Sequence, residues 1–163
     1  MKISIFKELE ISLIKPHLYF ELKNLSFARI LVFNFINALM AVLFSLTFNF
    51  FVAVFSGKII WFSNYLQMII LKNVIITFLY MIFGLTVSSL VLSGLLKLVM
   101  YWKKTKHVNY VYLFNYATHS LLICALLNKF VGVFVIVFAL AYCSMAISKD
   151  INYEKEIIKG NKV

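Results

Sequence analysis

Acidic residues are scarce in this chain, with six Asp and Glu against sixteen Lys and Arg in 163 residues. Charge of either sign makes up 13% of the total and hydrophobic residues 63%, where a water-soluble domain has about 25% and about 45–50%. So little polar surface on so short a chain cannot coat a packed core, which excludes a soluble fold. Intrinsic disorder, which needs low hydrophobicity, is excluded with it. Two cysteines are too few for a disulfide-stapled miniprotein. Five glycines and one proline leave no Gly/Ser linker or low-complexity tract, so one domain is expected. What remains is an integral membrane protein.

The net charge of +10 would suggest nucleic acid in a soluble chain, but the cations lie almost wholly between apolar runs, so no nucleic-acid partner is expected. Four runs, at about 30–56, 73–96, 109–128 and 130–148, are free of Asp, Glu, Lys and Arg. A bilayer core about 30 Å thick takes roughly 20 helical residues at about 1.5 Å each. The runs are continuous rather than alternating, which argues against a transmembrane barrel. The expected fold is therefore all-α, a four-transmembrane-helix bundle over 26–148.

Orientation follows from where the cations sit, since Lys and Arg are retained on the cytoplasmic side. Lys2, Lys7, Lys15, Lys23 and Arg29 precede the first run, Lys97, Lys103, Lys104 and Lys106 follow the second, and Lys149, Lys155, Lys159 and Lys162 form a basic tail over 149–163. Only Lys58, Lys72 and Lys129 lie in the other two loops. Both termini are thus expected to be cytoplasmic, in a multi-pass protein of the cytoplasmic (inner) membrane. No cleavable signal peptide is expected, because Glu8 and Glu10 interrupt the start.

Residues 1–25 form a lead of their own. Ile3, Phe6, Leu9, Leu13 and Ile14 fall along one side of a helix, with Lys7, Glu8, Ser12 and Lys15 elsewhere. The pattern predicts an amphipathic in-plane helix at the cytoplasmic face, or one packed beneath the bundle on the same apolar stripe. Pro16 should end it, and Ser26 should cap the first span. Lys7, Lys15, Lys103, Lys104 and Lys106 are candidate contacts for anionic lipid headgroups. Between the first two runs, 58–72 is too short to cross and too apolar for a free loop, so it should lie in plane or extend a neighbouring span.

Ionisable groups inside a membrane are costly and usually functional. All six acids lie outside the four runs, which predicts an interior without a carboxylate and argues against proton coupling, paired-acid hydrolysis and acidic magnesium sites. Cys124 and Cys143 have no redox or zinc spacing, and His17, His107 and His119 have no ligand spacing. No catalytic residue, metal or cofactor is expected. Asn34, Asn37, Asn115 and His119 remain as a candidate polar intramembrane stripe, either lining a small cavity or binding a headgroup, or else bonding helix to helix, with His119 reaching Asn34 or Asn37. Small residues at Ser88, Ser89, Ser93, Gly94, Gly132, Ala139, Ala141 and Ser144 should mark close-packing seams.

Two stretches resemble one family. Pro16 followed by Phe20 and Leu22 (PHLYFEL) before a long span, and Leu95 to Leu121 with a basic loop leading to Tyr116 and Ala117, are similar to the bacterial branch of the YIP membrane-protein family. That resemblance implies a polytopic helical protein of membrane organisation and transfers no catalytic residue. The expected function is a non-catalytic scaffold or accessory subunit, joined to a larger membrane protein or to its own copies. The alternative is a small oligomeric transporter or channel using the polar stripe.

Overall fold

A computed structural model describes residues 3–102 and 109–160. Among them every regular element is helical. Helix α1 is Ile5–Ile14, α2 Phe27–Ser56, α3 Ile59–Met68, α4 Leu71–Trp102, α5 Tyr110–Val131 and α6 Val135–Gly160. Short 3₁₀ segments occupy Pro16–Leu22 and Gly132–Phe134.

The local signals act where they stand. Ser26 caps α2 by accepting from the Arg29 amide at 3.3 Å, and Pro16 opens the 3₁₀ segment instead of extending α1. Asn109 caps α5, accepting from the Val111 amide at 3.1 Å. Gly57 ends α2 in the left-handed region (φ 62), which a residue with a Cβ adopts at a cost. Residues 58–72 contain α3 as a separate ten-residue helix with no buried side chain, its Tyr65 ring 5.5 Å from Phe50 of α2.

Three helices, α2, α4 and α5, are long and apolar enough to cross a membrane. The fourth expected run behaves differently. α5 continues through Val131, Gly132 turns with φ 58, and α6 starts at Val135, not 130. Its apolar part, Val135–Ser148, is below span length at about 21 Å, taking about 1.5 Å per residue. The expected basic tail is helical as far as Gly160.

α5 is the axis of the assembly: residues 113–120 are buried without interruption, against α1, α2, α4 and α6. α6 runs antiparallel to it. Cys124 of α5 meets Val135, where its Sγ donates to the carbonyl at 3.3 Å, and Ser120, one turn earlier, meets Cys143 at 3.3 Å. The α6 seam is Ala139, Cys143 and Ala146, all buried, and on α4 it is Ser89 and Ser93. Ser88, Gly94, Gly132 and Ser144 are exposed, so the expected seams hold at only part of their positions. Close approach follows the face a small residue occupies, and these four lie off the contact face.

Candidate functional site

The N-terminal lead is folded into one end of the bundle, with Glu8 and Ser12 turned in beside Ile11. Phe6 and Ile14 are 85% and 71% exposed, whereas Glu8, Ile11 and Ser12 are buried. The stripe is therefore not packed beneath the bundle at Phe6 and Ile14, while Ile3, Leu9 and Leu13 are half-buried; the in-plane alternative leaves those exposed side chains to lipid. The reason is chemical: in a bilayer an exposed Phe or Ile costs nothing, while a carboxylate must be partnered or kept in water.

Glu8 has its partners. Its Oε2 accepts from Arg29 Nε at 2.9 Å, with Arg29 Nη2 also 2.9 Å away, and Arg29 Nη2 donates in addition to the Ile3 carbonyl at 3.3 Å. Its Oε1 lies 3.1 Å from Nε2 of His119. The carboxylate is fully buried, and this overturns the expected carboxylate-free interior. No acid occurs in the four apolar runs, yet the fold carries one to the third of them from outside. His119 sits nine residues into α5, about 14 Å along the helix axis at about 1.5 Å per residue. Its ring stacks on Phe33 of α2 at 4.1 Å and meets the edge of Tyr19 at 6.1 Å.

The rest of the lead is tied to the same place. Tyr19, fully buried, donates its hydroxyl to the Ser12 carbonyl at 2.9 Å, and burial pushes that phenol far above its usual range, so it stays a neutral donor. Tyr142 of α6 donates to the Leu13 carbonyl at 3.0 Å, and Asn115 of α5 donates through Nδ2 to the Leu22 carbonyl. The lead is thus fastened by α2, α5 and α6 together.

The polar stripe residues are all buried but bond to separate partners. Asn34 donates to Thr86 Oγ1 of α4 at 2.6 Å, Asn37 to the Thr118 carbonyl of α5 at 3.0 Å, and His119 meets Glu8, not Asn34 or Asn37. The carboxamide oxygens of Asn34, Asn37 and Asn115 are buried with no hydrogen-bond partner among the described residues. Buried polar atoms are ordinarily satisfied, so these three mark places for water or another donor.

Of the candidate lipid contacts, Lys7 pairs with Glu21 at 3.1 Å and Lys15 with Glu10 at 2.6 Å. Lys15 beside Glu10 holds that carboxyl below its usual range. Lys103, Lys104 and Lys106 lie outside the described residues. Cys124 and Cys143 are buried and free, and no group of three or more His, Cys, Asp or Glu able to hold a metal occurs among the described residues. A mainly apolar groove of about 330 Å³ runs between α4 and α6 over α5, lined by Val91, Leu95, Leu121, Cys124 and Ile136 among others.

No family model, curated protein or solved structure matches this chain. Sequence reasoning missed Glu8 and Arg29 as site residues. The available signal was an acid on a short helix ahead of the apolar runs, the third of which holds a histidine, but the partner is 111 residues away.

Proposed function

We propose that this protein is a non-catalytic integral membrane scaffold or accessory subunit. It has four spans in the cytoplasmic (inner) membrane, both termini are cytoplasmic, and a second protein or a second copy docks on it through α4. The observation that carries this reading is the surface of α4: only 6% of its most apolar stretch is buried inside the chain, with Leu79, Tyr80 and Phe83 turned outward. The polar side chains, by contrast, are spent on holding the chain's own elements together. The antiparallel return of α6 along α5 supports a fourth crossing despite its short apolar part, since it carries the chain back through the layer α5 occupies. The excess of cations beside the termini supports the orientation. The resemblance to the YIP family points the same way. Lipid contact by Lys7 and Lys15 is expected to be weak, because each faces a carboxylate first.

Photo-crosslinking decides between this reading and its rival. A crosslinking residue at Phe83 in native membranes should join the chain to one protein of defined mass, and the same residue at Leu122 should not. Adducts to lipid at both positions would overturn the reading. Topology has its own check: a cysteine at Ser63 should label from outside intact cells, and one at Asn24 should not.

The second reading is a small oligomeric transporter or channel, and the three unpartnered carboxamide oxygens favour it. It requires solute flux in liposomes that Asn37→Ala changes and Leu79→Ala does not.

A further inference from the structure

The contact between Glu8 and His119 fixes a proton count. The backbone carbonyl of Asn115 lies 2.8 Å from Nδ1 of His119 and can only accept, so Nδ1 carries a proton. Nε2 lies 3.1 Å from Oε1 of Glu8. An ionised carboxylate can only accept, in which case Nε2 is protonated as well. A bare Nε2 can only accept, in which case Oε1 is protonated. Both assignments place one further proton between the two side chains.

We infer that Glu8 and His119 form a one-proton binding site, and that this proton is one of the fasteners holding the N-terminal lead in the bundle. Without it, two lone pairs face each other at one end of the imidazole or the other, buried beyond the reach of water. The inference does not depend on whether the protein is a scaffold or a passage.

The other groups facing the pair are engaged, and His17 of the 3₁₀ segment is exposed to the outside. From α2, Arg29 contributes a charge that does not titrate, and Phe33 covers one face of the ring. From the 3₁₀ segment comes Tyr19, whose hydroxyl is engaged with Ser12. Behind it stand Tyr116 of α5 and Tyr142 of α6, with rings 6.2 and 6.4 Å from that of Tyr19, and Cys143 of α6 is bonded to Ser120. The other charges on α1 are paired, Lys7 with Glu21 and Glu10 with Lys15.

The sign follows from linkage. Glutamate and histidine in water lose their protons near pH about 4.3 and about 6.5. Above the higher value a released lead leaves no proton on the separated groups, whereas the docked pair holds one. Release therefore frees a proton, and the docked population falls about tenfold per pH unit. Below the lower value the separated groups hold two, so docking weakens again on the acid side.

The test places a cysteine at buried Ser12 in the full chain, with Cys124→Ala and Cys143→Ser, in lipid nanodiscs. Its labelling rate with a water-soluble maleimide is divided at each pH by that of a cysteine at exposed Asn24, which cancels thiol ionisation. The ratio should be small near pH about 6 and climb steadily as the pH is raised above about 7. Glu8→Gln supplies a permanent N–H to Nε2 and an oxygen to Arg29, so its ratio should stay small and flat. Should that variant fail to assemble, His119→Gln offers an N–H to the ionised Glu8 and should also be flat. A flat ratio with Glu8 and His119 both present overturns the proposal, as does a variant that climbs as steeply as the parent. If both variants fail to assemble, the slope of the parent decides.

Discussion

α4 and α5 are consecutive helices packed side by side, and they divide the chain's chemistry between them. The most apolar stretch of α4 has a mean hydropathy of 2.2 and is 6% buried, while that of α5 has 1.4 and is 56% buried. The less apolar helix is the one inside. In water this ordering would be a fault. In lipid it follows from the solvent, because a leucine gains nothing by leaving acyl chains for a protein interior, whereas asparagine, threonine and histidine must find donors and acceptors. α5 carries Asn115, Thr118, His119 and Ser120 within six residues, and all four are buried. α4 meets it through Ser89 and Ser93, and its outer side remains apolar.

The contrast can be broken most severely at His119. His119→Leu removes the hydrogen-bond partner of one oxygen of the buried Glu8 carboxyl while Arg29 stays on the other, and should cost about 3 kcal/mol, the upper end for leaving a buried polar group without its partner. Unfolding measured by steric trapping in bicelles should read that loss, and a loss under about 1 kcal/mol would mean that Glu8 is not held in the interior. A smaller effect is expected from packing alone. Leu122→Ala, at a fully buried α5 position, should cost about 2 kcal/mol, near the bottom of the range known from water because in lipid the cavity term acts without the transfer term. Asn37→Ala removes one hydrogen bond to Thr118 together with an unpartnered oxygen, so its cost should be below about 0.6 kcal/mol. Leu79→Ala on the outer face of α4 should change stability by less than about 0.5 kcal/mol. If Leu79→Ala cost as much as Leu122→Ala, the two helices would not differ as described.

The same physics explains what could be read from the residues. Long spans announce themselves through continuous hydropathy, and caps and breaks through single residues such as Ser26, Asn109 and Pro16, whose effect is complete within one turn. The lead was harder. Its apolar spacing is real, but spacing tells only that a helix has two faces, and the inward one is chosen by what waits there. Glu8 goes in because Arg29 and His119, 21 and 111 residues away, meet its two oxygens. The start of α6 was obscured for a related reason: hydropathy runs on through residues 130–134, and the break comes from the conformation of Gly132. The unpartnered oxygens of Asn34, Asn37 and Asn115 depend on how three helices are rotated, which no local pattern encodes.

The distance along the chain between Glu8 and His119 also orders events in time. During synthesis at about 5–20 residues per second, the acid emerges on the order of ten seconds before the imidazole that receives it. Throughout that interval the lead has no berth, and its carboxylate must remain at the aqueous boundary. The lead is therefore made before α5 and seated on it only afterwards.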